Sequence, residues 1–123
     1  MVGEAVMRHI FVFGSNLAGR HGAGAALFAV KHYGAEYGVG CGFTGSAYAL
    51  PTKDANLRTL PLDEIEAGYA TLGGIIRTHP ATHQWLLTPA GAGLAGVPLE
   101  TVNAWRLKHI GNPLNVWLTG EWF

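Results

Sequence analysis

Charge is scarce in this 123-residue chain: Asp, Glu, Lys and Arg make up 13% of it, about half the usual share. Eight basic residues balance eight acidic ones. That balance removes the electrostatic case for non-specific nucleic-acid binding or for a polybasic membrane patch, so neither partner is expected. Cysteine is nearly missing as well. Cys41 stands alone, which rules out an internal disulfide and fits a reducing, cytoplasmic setting. No apolar run approaches the roughly 20 residues of a membrane span. The opening "MVGEAVMRHIFVFG" lacks the basic region, long apolar stretch and small-residue cleavage site of a secretory signal. The length fits a single domain over residues 1–123, because a chain of this size buries about two-thirds of the surface it exposes when unfolded. A surface so poor in charge is compatible with self-association, and a homo-oligomer is left open.

Glycine is in excess: 18 residues, about twice the average share. They gather in "FGSNLAGRHGAGAA" (13–26), "GVGCGFTG" (38–45) and "GAGLAG" (91–96). Between these clusters the pattern alternates. "HIFVFG" (9–14), "SAYALP" (46–51), "HQWLLTP" (83–89) and "NVWLTG" (115–120) read as short, buried strands. Helices are expected from about Ala23 to Tyr33, with Leu27, Val30 and Phe28 inward and Gly34 as the stop, and over roughly 98–109. In "LPLDEIEAGYATLGGIIRTH", Ile65, Tyr69, Leu72 and Ile76 recur at helical spacing. Pro61 and Pro98 lie in the opening turns, each followed by an acid that suits the positive end of a helix dipole. Strands alternating with helices predict an α/β fold in three αβα layers, with a mixed, mostly parallel sheet.

Two of the glycine clusters, at 14–24 and 91–96, then fall after a strand and before a helix. Those positions lie at the carboxyl ends of strands, where helix N-termini offer unpaired N–H groups and partial positive charge to an anion. Two such loops side by side suit two linked phosphates. The plain alternative is that the glycines serve tight turns. A P-loop is absent, since no G-x-x-x-x-G-K-[ST] occurs. Gly91, Gly93 and Gly96 match a dinucleotide fingerprint, which keeps an NAD-type or nucleotide-sequestering module as the alternative function. The acid that fingerprint requires about 20 residues on is missing, and the match comes late in the chain.

Other groups give weaker signals. His21 could act as a general acid or base, or could pack and donate a structural hydrogen bond. Lys53 and Asp54 in "PTKD" follow a strand and could reach the same rim, as phosphate contact and water-activating carboxylate, or could form a surface ion pair. Asn16 offers an uncharged amide beside a dianion, or an Asx turn. His79 and His83 are spaced as metal ligands on a helix would be, but Pro80 lies between them and no carboxylate or thiolate is near, so no metal and no cofactor are expected. Ser15 and Ser46 lack a G-x-S-x-G setting.

"GSNLAGRHGAGAA" resembles the phosphate-binding loop of macro domains, with Asn16, then His21, then the small-residue run Gly22-Ala23-Gly24 opening a helix. "LLTPAGAGLAGVP" looks like the second macro-domain loop. From about Ile10 to Phe123 the chain is similar to a group of small macro-like proteins of phages and bacteria, whose recurring pieces appear as "FVFGSNLAGRHGAGAA", "YALPTKD", "LPLDEI" and "TPAGAGLAG". The resemblance implies binding of a small-molecule nucleotide, ADP-ribose or a derivative, with hydrolysis of an ADP-ribosyl bond or terminal phosphate as the activity to test. The ligand-binding set it implies is Gly14, Ser15, Asn16, Gly22, Ala23, Gly24 and Ala25 in the first loop, Gly91, Ala92, Gly93, Leu94, Ala95 and Gly96 in the second, and Lys53 beside them. Asn16, His21 and Asp54 are the catalytic candidates. One departure stands out. Macro domains carry an upstream acid on adenine, and only Glu4 precedes the loop here, which leaves adenine selectivity open.

Overall fold

The computed structural model describes residues 8–79 and 82–122. The expected absence of a leader, Glu4, the Pro80 turn and the last residue of the chain lie outside the described residues. The elements follow in the order β1 (Arg8–Asn16), α1 (Gly24–Tyr33), β2 (Gly42–Thr44), β3 (Ala47–Lys53), α2 (Leu62–Thr78), β4 (His83–Leu87), α3 (Leu99–His109) and β5 (Val116–Leu118). The strands form one sheet in the order β2-β3-β1-β4-β5. β3, β1, β4 and β5 are parallel, and β2 is antiparallel to β3. The α/β expectation, with a mixed and mostly parallel sheet, is met.

The strand order explains which face each helix takes. From β1 the chain crosses to β3 on one side, then from β3 over β1 to β4 and on to β5 in the opposite direction. Parallel crossovers are right-handed, so reversing the direction of travel puts α1 on one face and α2 and α3 on the other. The cores agree. Phe11, Phe13, Ala47 and Ala49 pack with Ala26 and Ala29 of α1, while Ile10, Val12, Tyr48, Leu50, Trp85 and Leu87 pack with Ile65, Tyr69 and Leu72 of α2 and Val102 and Trp105 of α3. Alternate residues of a strand serve opposite faces, which is why β1 reads as an unbroken apolar run.

Three local expectations need correction. β2 falls where the chain reads as a loop; at three residues it is too short to show a period. It forms because Gly45, at φ +58°, opens a two-residue turn that sets Thr44 opposite Ala47. In α1 the buried residues are Ala26 and Ala29, while Leu27 and Val30 are half-buried and Phe28 is exposed. The small side chains let the helix lie close on β1, and Phe28 and Tyr33 pack against the Phe11 ring at 5.3 and 4.8 Å. Pro61 and Pro98 sit one residue before their helices, as N-caps. The other assignments agree. Gly34 ends α1 at φ +71°, with its N–H bonded to the Ala29 carbonyl, and the four residues expected inward on α2 are buried.

α2 and α3 meet backbone to side: a Cβ on Gly73 would fall 2.1 Å from the His109 carbonyl oxygen. Nearby, Glu66 accepts hydrogen bonds from His109 Nε2 at 2.7 Å and Lys108 Nζ at 3.2 Å. These hold its carboxyl below the ordinary carboxylate range, the His109 bond most. A carboxyl lowered on folding stabilises the native state above its unfolded pKa and loses that contribution as pH falls through the folded one. The melting temperature of Glu66→Gln is therefore expected to fall less steeply than that of wild type on acidification from pH 5 to pH 3. Identical slopes in a thermal melt series would show that the pair contributes nothing. Among the described residues, no helix is long and apolar enough to cross a membrane.

Candidate functional site

The chain leaves β1 for one side of the sheet and leaves β3 for the other, so the carboxyl ends of β1 and β4 flank a topological switch point, the usual ligand crevice of an open α/β sheet. A cleft of about 540 Å³ opens there, within the size range of small-molecule sites. Four connections line it: the β1–α1 loop, the α1–β2 connection through Tyr37, the β3–α2 turn and the β4–α3 loop.

The first loop ends in a helix N-terminus that no side chain caps. Ala23, the N-cap, makes no side-chain cap, and α1 has no acid in its first turn. Among the described residues, the N–H groups of Gly24, Ala25 and Ala26 have no hydrogen-bond partner, and all three residues line the cleft. A helix start usually satisfies such groups with Ser, Thr, Asp or Asn. Here they stay free for an anion. The β4–α3 loop adds a second set ahead of the α3 N-terminus: the N–H groups of Gly93, Leu94 and Ala95 are likewise unpartnered among the described residues, and these residues line the same cleft. Arg20 and Lys53 also line it, and among the described residues no carboxylate does. Among those residues the cleft has two cations and two sets of backbone donors, with no negative side chain to oppose them.

The surrounding bonds hold these loops still. The Asn16 amide is engaged on both sides, its Nδ2 donating to the Arg20 carbonyl at 2.8 Å and its Oδ1 accepting from the Arg20 N–H at 3.0 Å. One N–H and one lone pair remain to it. Ser15 Oγ donates to the Gly40 carbonyl at 2.6 Å, and Gly38 N–H to the Gly19 carbonyl at 2.8 Å. The Gly-dense 38–40 segment is thus the back wall of the first loop. Tyr69, whose hydroxyl burial pushes far up in pKa and so keeps protonated, donates to the Ala90 carbonyl at 2.7 Å beneath the second loop. Thr88 and Thr52 donate to the carbonyls of Val12 and Ser15.

Of the expected ligand-binding residues, Gly14, Ser15, Asn16, Gly22, Ala23, Gly24, Ala25, Lys53, Gly91, Gly93, Leu94 and Ala95 meet in the cleft. Ala92 and Gly96 do not line it. Gly96, at φ +77°, returns the loop toward α3, its N–H bonded to the Gly93 carbonyl.

Two catalytic candidates lie elsewhere. His21 is fully buried behind the loop, its Nε2 donating to the Val39 carbonyl at 2.9 Å and its ring set edge-on to Phe13 and Tyr37. It does not reach the cleft, because the chain turns at Gly22 and carries the neighbouring N–H groups forward instead. Asp54 does not line the cleft either; its Oδ1 accepts from the N–H groups of Asn56 and Arg58 at 2.8 and 2.9 Å and so builds the β3–α2 turn. No ion pair joins Asp54 to Lys53. His79 and His83 do approach, with ring centroids 4.9 Å apart, yet no group of three metal-ligating side chains exists among the described residues.

The cleft residues not foreseen are Arg20, Tyr37, Leu57, Thr52, Thr88, Pro89, Ala90 and Ala26. Arg20 stands inside the glycine loop and was readable there as a cation. Tyr37 and Leu57 come from distant turns and carry no local signal. Comparison with family models, with curated protein sequences and with solved structures returned no match.

Proposed function

We propose that this chain binds ADP-ribose or a closely related nucleotide, with the diphosphate lying across the switch point. The observation that carries the reading is the pairing of two N–H clusters, at Gly24–Ala26 and Gly93–Ala95, with Arg20 and Lys53 in a cleft where, among the described residues, these donors have no partner and no carboxylate is present. A diphosphate matches this in charge and in having two groups of acceptor oxygens. The resemblance of "GSNLAGRHGAGAA" and "LLTPAGAGLAGVP" to macro-domain loops favours ADP-ribose among diphosphates, and a macro-domain-like arrangement of the three layers goes with it. Hydrolysis is less well supported than binding. Neither His21 nor Asp54 lines the cleft, and Asn16 has half of its amide engaged, so none of the three catalytic candidates offers a general base there.

Calorimetric titration with ADP-ribose, NAD and ribose 5-phosphate tests this reading. Micromolar binding of ADP-ribose, weaker binding of ribose 5-phosphate and no product by chromatography are expected. Product release that disappears in Asn16→Ala would replace the binding module with an enzyme. Absence of binding to all three would remove the nucleotide reading altogether.

A further inference from the structure

One residue beside the cleft is held in a conformation that its type disfavours. Leu57 has φ +64° and is the one non-glycine residue with positive φ among the described residues. A left-handed conformation is disfavoured for an L-residue, whose Cβ then crowds the following carbonyl oxygen. The fold nonetheless enforces it. Asp54 Oδ1 pins the backbone on both sides of Leu57, through Asn56 and Arg58, and the Leu57 N–H donates to the Asp54 carbonyl at 3.1 Å. The turn is then tied to the second phosphate loop, since Thr59 Oγ1 donates to the Ala95 carbonyl at 2.8 Å. The result is one unit with two leucines at its lip. Leu57 is 45% and Leu94 77% exposed, and both line the cleft. Exposed leucines at the mouth of a crevice call for an apolar part of the ligand. Strain stored at such a place marks a functional constraint.

The rest of the lining says how that part is recognised. Ser15, Asn16, Thr52 and Thr88 all spend hydrogen bonds on the protein's own backbone. Among the described residues no carboxylate lines the cleft, and with Arg20 and Lys53 assigned to phosphate, half of the Asn16 amide and the Tyr37 hydroxyl are the side-chain groups that remain for a nucleobase edge, too few to separate one purine sharply from another.

We infer that the Asp54-pinned turn and the β4–α3 loop form an apolar jaw, Leu57 and Leu94, that grips the nucleobase of the bound nucleotide by its faces and does not discriminate its edge. This rests on the nucleotide reading of the cleft. It assigns specificity to Leu57 and Leu94, and makes Asp54 and Thr59 positioning residues.

The test separates base from phosphate. Leu57→Gly removes the side chain and relieves the backbone, so its melting temperature should equal or exceed that of wild type. It should weaken ADP-ribose about tenfold, the worth of one well-buried apolar side chain, and leave ribose 5-phosphate unchanged. Leu57→Asn, a polar residue that tolerates the left-handed backbone, should repeat this split. Wild type should bind ADP and GDP within about threefold of each other, a difference under about 1 kcal/mol. Equal loss of ADP-ribose and ribose 5-phosphate in both variants, unchanged ADP-ribose affinity in both, or a preference for one purine beyond tenfold would each overturn the jaw while leaving the nucleotide site intact. A wild-type protein that binds neither ADP-ribose nor ribose 5-phosphate would overturn both readings.

Discussion

Gly40→Ala is expected to lose about 3 kcal/mol of stability, which for 123 residues lowers the melting temperature by roughly 10 °C. A Cβ at this position would stand 2.1 Å from the Asn16 carbonyl oxygen and 3.0 Å from the Gly19 nitrogen, both backbone atoms that cannot rotate away. The same contact holds the Ser15 hydroxyl on the Gly40 carbonyl, so separating the two segments would also leave buried polar groups without partners. Gly22→Ala is the control. It lies in the same loop, but its Cβ would meet nothing within 4 Å, and its φ is not in the left-handed range. Its melting temperature should stay within about 2 °C of wild type, as for an unremarkable surface change. Equal melting temperatures for the two variants would mean that the 38–40 segment does not brace the first loop.

Gly22→Glu is expected to abolish nucleotide binding while the protein stays folded or becomes slightly more stable. The residue directly precedes the N-cap of α1, and its side chain would have open space. A carboxylate there would meet the unpartnered N–H groups of Gly24, Ala25 and Ala26 and the positive end of the helix dipole. It would satisfy these donors itself and repel a diphosphate from them. A gain of up to about 1 kcal/mol in stability is expected from the first effect. A loss of about 100-fold in ADP-ribose affinity is expected from the second, equivalent to about 2.7 kcal/mol. The opposite signs are diagnostic, because a merely misfolded variant would lose both. Gly24→Glu is a poorer probe, since Gly24 has φ +59° and any side chain there adds strain. Retained affinity in a well-folded Gly22→Glu protein, measured by calorimetry, would exclude the α1 N-terminus as the anion site.

The order of strands and helices was legible in the chain because each element carries its own period or punctuation. The unbroken apolar run at 9–14, the i, i+4, i+7, i+11 spacing from Ile65 to Ile76 and the stop at Gly34 are local signals that tertiary contacts had no need to override. The two glycine loops at the strand ends were legible for the same reason. Their glycines cluster within short stretches that follow a strand, and each loop offers free backbone donors, at the start of α1 in the first and within the loop itself in the second.

Only the tertiary structure decided which side chains reach the cleft. His21 and Asp54 stand next to cleft residues in sequence yet turn away, one to cap the Val39 carbonyl and the other to pin a turn, because a one-residue step in a loop reverses a side chain's direction. Tyr37, Leu57 and Thr88 come to the site from three separate segments through strand order alone. The purpose of the glycines at 38–40 is likewise invisible along the chain. Gly40 is required by a backbone 24 residues earlier, and close approach between segments is a property of packing that no local pattern encodes.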